Sequence, residues 1–453
     1  MGFFGARHAV KSPPLPQRKS TTLRRLFDLD SQLDALSPAA PSADADTKQL
    51  LSAISYCTTA VFNFVDPAES PAQQDLKRRQ LSHVLSAVRE TKAPFFLDEA
   101  VWPPLLAMLA ANLFRPLPAP AHPCLPPDLL DEDGGGWTMA LAPDWPHLHV
   151  AYDILSAAVA EADERTLRRH IDRGFLRGLL ALFQSEDPRE RDRLKVVYHQ
   201  LYSKLAPDRG FMRRQMVCEL AHQVFDAEPR PCGAAELLEI WGSIICGFAV
   251  PLKEEHRVFL SRVLVPLHKA KCVAAYHRQL AYCVTLFVAK EPELGEVVVK
   301  GILRHWPATN CHKEVLLLEE LEELVESLDV GDLQKVAVPI CNRVARCSGS
   351  TNSQVAERAL CMWNNEQFVK MASQCWEEVL PSIVEAVEKN LEWHWSKSVQ
   401  ELAASLKRML EEAEPVLYSR FLLQLQRKEA DMAEEERKRK MRWERLEMAT
   451  AKL

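Results

Sequence analysis

The chain is 453 residues long, enough for two or three ordinary domains or one elongated repeat array. Its composition, 47% apolar and 26% charged, excludes a membrane bundle, and its net charge of -6 argues against nucleic acid as the main partner. Only 15 glycines and little β-branched alternation leave sheet poorly supported, so an all-α chain is expected.

In chain order, residues 1–20 are rich in Pro, Lys and Arg and read as a disordered basic leader, more in keeping with a mobile tail than with a transit peptide. Amphipathic segments separated by short breaks then run from 21 to 425. A proline-rich loop from Pro116 to Pro143 interrupts them and carries an acidic run with Glu132 and Asp133, then three glycines. Asp187-Pro188-Arg189-Glu190 offers an Asp N-cap, a first-turn Pro and a Glu placed for a capping box, and Thr351 to Gln354 repeats that logic. Glu291-Pro292-Glu293 and Leu380-Pro381 mark further starts or breaks.

Three apolar stripes stand out: Leu194, Val197, Leu201 and Leu205; Val258, Phe259, Val263 and Leu267; Leu317, Leu321, Leu324 and Leu328. Helix pairs every ~40 residues are the pattern of HEAT-type arrays, so a HEAT-like α-solenoid of antiparallel helix pairs is expected. Residues 426–453 read as a separate charged helix without a broad apolar face. No apolar run approaches the ~20 residues that span a bilayer.

The 12 cysteines are scattered singly, with no C-x-x-C, which fits reduced, buried thiols in a cytosolic or nuclear protein and gives no zinc spacing. No P-loop, GxSxG or clustered Asp/His metal set appears, so neither catalysis nor a cofactor is expected. The stretch LLEIWGSIICGFAVPLKEEH (Leu237 to His256) is the most suggestive. Ile240 and Ile244 stand one turn apart, and Lys253 and His256 follow at i,i+3 on what reads as the next helix. On the helix starting after Asp187, His199 and Tyr202 lie beside the apolar stripe, and Arg209 follows in a turn. A greasy pocket with a cationic rim suits a short peptide carrying one aliphatic side chain and one acid. Each residue also has a plainer reading, the isoleucines as inter-helix core and the cations as surface charges.

The wording of that stretch resembles the B-prime family of regulatory subunits of protein phosphatase 2A. The resemblance continues through LFQSEDPRERDRLKVVYHQLYSKL (Leu182 to Leu205), PLHKAKCVAAYHRQLAYCV (Pro266 to Val284), WPATNCHKEVLLLEELEEL (Trp306 to Leu324) and QVAERALCMWNNE (Gln354 to Glu366). It implies a non-catalytic subunit that joins a scaffold and a catalytic subunit in a heterotrimer and recruits phosphoproteins by L-x-x-I-x-E motifs. On that footing Ile240 and Ile244 hold the motif's isoleucine, and His199 and Tyr202 contact its glutamate. Arg209, Lys253 and His256 receive further acids or a phosphoserine, while Glu132 and Asp133 match a loop near the catalytic subunit. The chain departs from the family at Gln200, where arginine is usual, and at Val196, where threonine is usual. The scattered thiols, without a secretory signal, lead one to expect the cytoplasm, the nucleus or both. The rival reading is a free-standing helical-repeat carrier of the nuclear-transport type, for which Trp363-Asn364-Asn365 is one candidate ladder rung.

Overall fold

The computed structural model describes residues 43–60, 71–90, 100–117, 142–225 and 232–450. The leader at 1–20 and the loop residues Glu132 and Asp133 lie outside these ranges. Every regular element among the described residues is helical, as composition led one to expect. The chain divides into two units, Met1–Leu50 and Leu51–Leu453. Of the first, the described part is the opening of helix α1 (Ala43–Thr59).

In the second unit the helices alternate between two layers. One layer stacks α2 (Pro71–Glu90), α4 (Trp145–Glu161), α7 (Pro188–Lys204), α9 (Ala234–Cys246), α11 (His277–Lys290), α13 (Cys311–Ser327), α15 (Ser353–Cys361) and α18 (Lys397–Ala413), each on the next. The other holds α3 (Trp102–Leu113), the short α5 (Glu164–His170) and α6 (Arg173–Ala181), α8 (Arg209–Phe225) and α10 (Glu254–Phe259). Beyond α10 it continues with α12 (Leu294–Arg304), α14 (Val330–Ser348), α16 (Glu366–Ser373), α17 (Trp376–Trp393) and α19 (Pro415–Thr450). This is a helical-repeat stack in which each pair touches mainly its neighbours.

The repeat length is written in the polar contacts between neighbouring repeats. Lys195–Glu239, Lys290–Cys246, His277–Glu320 and Asn390–Ser348 pair across 44, 44, 43 and 42 residues. Lys204, at the end of α7, donates to the carbonyls of Ala160 and Ala162 that α4 leaves unpaired. Two repeats further on, Lys290 at the end of α11 does the same for Cys246 and Phe248 beyond α9. A terminal cation meeting terminal carbonyls also suits the helix dipole.

Two of the apolar stripes point inward throughout, with Leu194, Val197, Leu201 and Leu205 and Leu317, Leu321, Leu324 and Leu328 all buried. The third does not. Val258 is 45% exposed while Phe259, Val263 and Leu267 are buried, since Val258 stands one residue, about 100°, off the face that runs on through the π-helical turn Leu260–Leu264. Close approach in this region requires a glycine: a Cβ on Gly301 of α12 would lie 2.2 Å from Val265 Cγ1.

Local start signals fared unevenly. Asp187 caps α7 as expected, accepting from the Arg189 amide at 2.9 Å. Glu190 is no capping-box partner. Its wholly buried carboxylate takes a two-pronged Arg115 contact, 2.8 Å on each oxygen, and the hydroxyls of Tyr152 at 2.9 Å and Ser185 at 2.6 Å. Asn352, not Thr351, caps α15. Pro292 precedes α12 as expected, but Pro381 sits inside α17, where Trp376, Val379, Leu380, Ile383 and Val384 are buried on both sides of it. Packing there outweighs the roughly 3 kcal/mol a mid-helix proline costs. The helix α19 begins at Pro415 and passes unbroken through the 425/426 boundary. Among the described cysteines, Cys57, Cys272, Cys283, Cys341 and Cys347 are buried, whereas Cys218 and Cys246 are exposed.

Candidate peptide-binding face

Helix α7 has three distinct sides. Leu194, Val197, Tyr198 and Leu201 face the core. Arg191 and Lys195 reach α9, bonding Glu236 at 2.8 Å and Glu239 at 2.5 Å, and Gln200 accepts from the Ser156 hydroxyl of α4 at 3.2 Å. That leaves Val196, 47% exposed, and the half-buried His199 on the outward side. Tyr202, a turn further on, is 9% exposed and tilts toward α8. There its hydroxyl accepts from Arg213 Nη1 at 3.0 Å.

Arg213 is the residue the sequence offered no means of finding. Its other nitrogen, Nη2, lies 3.5 Å from Glu255 Oε1, and Glu255 in turn lies 3.4 Å from His256 Nε2. One polar chain therefore runs Tyr202–Arg213–Glu255–His256, joining α7, α8 and α10. It unites two of the expected residues through two that were not expected.

Arg209 is more constrained than a free surface cation. Its Nε donates to the Tyr202 carbonyl at 2.9 Å and its Nη2 to the Ser203 carbonyl at 2.6 Å, with the guanidinium 5.5 Å from the Tyr202 ring centre. It caps the end of α7 and braces Tyr202. Lys253 is exposed and sits just before α10 as its N-cap residue rather than within the helix.

His256 is not the cation that the rim was expected to hold. The ring is 8% exposed and stacked on Phe248 at 3.6 Å between centres. Burial lowers its pKa below the ordinary 6.5, with Glu255 opposing, so the imidazole is neutral at pH 7. Ile240 and Ile244 are 2% and 6% exposed, on the wall of α9 that also carries the Trp241–Phe259 stack at 4.1 Å. Trp363, proposed as a ladder rung for a carrier, is buried, and Asn365 caps α16 while donating to Glu322 and Glu326.

Fold and face together define an all-α helical-repeat protein in which a mixed polar chain, ending on a buried and braced tyrosine, joins neighbouring repeats. The protein phosphatase 2A regulatory B subunit model (B56 family) matches residues 36–450. The chain is 40% identical over 393 residues to the B' alpha isoform of the 57 kDa regulatory subunit of serine/threonine protein phosphatase 2A from Arabidopsis thaliana, covering 86% of this chain and 78% of that one. It is 38% identical over 448 residues to the 57 kDa B' kappa isoform of Oryza sativa subsp. japonica, covering 96% and 86%. To the 59 kDa B' eta isoform of Arabidopsis thaliana it is 41% identical over 389 residues, covering 85% and 75%. The chain belongs to the B56 family of protein phosphatase 2A regulatory B subunits, and is a regulatory rather than a catalytic chain.

Proposed function

We propose that this subunit docks on the scaffold and catalytic subunits of protein phosphatase 2A and recruits phosphoproteins through L-x-x-I-x-E-like motifs lying across α7, α8, α9 and α10. The observation that carries this reading is the Tyr202–Arg213–Glu255–His256 chain, with Lys253 and His199 beside it. An acidic side chain arriving there meets Arg213 and Lys253 as charge-assisted donors and the Tyr202 hydroxyl as a neutral one. The isoleucine of the motif is assigned to the α9 wall at Ile240 and Ile244, where burying one aliphatic side chain contributes roughly 1.5–3 kcal/mol. Glu255 disfavours a second acid at the same point unless Arg213 turns toward the ligand.

The mechanism is tethering: a bound motif holds nearby phosphosites at an effective concentration of about millimolar beside the catalytic subunit. Fluorescence anisotropy with an L-x-x-I-x-E peptide tests the face, Arg213→Ala weakening it about tenfold by loss of a charge-assisted bond. Equal affinity of the variant and the native chain would refute the assignment. A pull-down probed for scaffold and catalytic subunits tests the docking independently.

A further inference from the structure

A recess lies toward the C-terminal end of the array, where the turn after α14, the end of α17 and α19 meet; its volume is 410 Å³. Glu392, Trp393, His394, Leu422, Leu425 and Glu429 line it. Trp393 is 77% exposed, and neighbouring Trp395, 73% exposed, donates its indole N–H to the Thr351 carbonyl at 3.0 Å. The Trp393 indole, held in water over the half-buried Leu422 and Leu425, with Trp395 next to it in the chain, forms an apolar patch of the kind that marks binding sites.

The charges in the recess are not all neutralised internally. Lys389 bonds Glu385 at 2.7 Å, and Glu388 accepts from Lys407 at 2.8 Å and from the Tyr418 hydroxyl at 2.6 Å. Glu392 and Glu429 have no ion pair among the described residues. The recess is thus left with two uncompensated carboxylates.

His394 adds a directed donor. It is 8% exposed, and its Nδ1 accepts from the Ser396 amide at 3.1 Å, which places the ring proton on Nε2. That nitrogen is buried and has no hydrogen-bond partner. An unmet buried donor is costly to keep and finds its complement in an acceptor such as a peptide carbonyl.

We propose that this recess docks a basic linear peptide of a partner protein. An arginine of the peptide lies on the Trp393 indole, Glu392 and Glu429 take its charge, and a backbone carbonyl of the peptide accepts from His394 Nε2. Its charge preference is opposite to that of the face on α7 to α10, and it stands whether or not that face binds acidic motifs.

The probe is a fluorescein-labelled peptide alternating arginine and leucine, titrated against the full chain. Saturable binding is expected, weakening about tenfold in Trp393→Ala and in the Glu392→Lys, Glu429→Lys double variant, and weakening as salt rises. The altered side chains are all exposed, so folding is retained. The same charge reversal at Glu434 and Glu435, on the exposed part of α19, leaves binding unchanged if the recess is the site. Absence of saturable binding, unchanged affinity in either recess variant, or equal weakening by the Glu434 and Glu435 reversal overturns the proposal.

Discussion

Gln200 shows how much one side chain sets on the proposed motif face. Its amide oxygen is held by the Ser156 hydroxyl, so it supplies no charge at a position where the family resemblance leads one to expect arginine. A charge-assisted bond contributes about 1.5–3 kcal/mol against about 0.5–1.5 for a neutral one. Gln200→Arg should therefore tighten binding of an acidic L-x-x-I-x-E peptide about tenfold, read by fluorescence anisotropy. Helical spacing turns His199 and Tyr202 away from the Leu194 stripe, but Tyr202 is nonetheless buried, because α8 packs over it, and only His199 stays half open. Arg213 was not legible: its value comes from where α8 lies against α7, and no local pattern encodes that. The neutral state of His256 was hidden for the same reason, since only the folded chain lays it on Phe248.

At the scale of elements, one junction is a buried carboxylate on α13. Glu320 accepts from His268 Nε2 at 2.9 Å and from His277 Nε2 at 2.8 Å, and His268 Nδ1 faces the Val265 carbonyl at 2.9 Å. Both ring nitrogens of His268 meet acceptors, so it is an imidazolium. Burial opposes both charges, yet the attraction prevails: the histidine is raised above 6.5 and Glu320 is held well below 4.5. A depressed carboxyl stabilises the fold above its unfolded value and loses that contribution as pH falls through the folded one. A raised histidine contributes fully below its unfolded value and loses it as pH climbs through the folded one. Melting temperature should thus fall off on the acid side below about pH 4 and on the alkaline side above about pH 7. Glu320→Gln should flatten both limbs while lowering the plateau, as thermal melts across pH will show. The junction was invisible in sequence because its partners come from separate helices. Glu190 was misjudged likewise: at the third helical position a glutamate fits a cap equally well, and only Arg115, distant in the chain, decides otherwise.

For the whole molecule, the helical class was legible and the repeat was not. Amphipathic segments between short breaks announced the helices, but the repeats share contact geometry rather than residue identity, so no clear period shows in the sequence. The last helix, 36 residues and about 54 Å long, carries its apolar anchors Tyr418 and Phe421 in the first turns. From Met432 to Glu447 every side chain is exposed, its cross-links being local pairs such as Lys438–Glu434. Deleting residues 432–450 should leave the melting transition within about a degree of the intact chain, since every described side chain lost is exposed. A drop of several degrees would mean that this stretch supports the array.

The lysines that close carbonyls one repeat away give the molecule a particular mechanical temper. Lys204 and Lys290 are rivets between adjacent plates, and no strap reaches from one end of the pile to the other among the described residues. Stretched between its ends, the protein should lengthen in a staircase of small slips, each plate parting from the next, before any single abrupt rip.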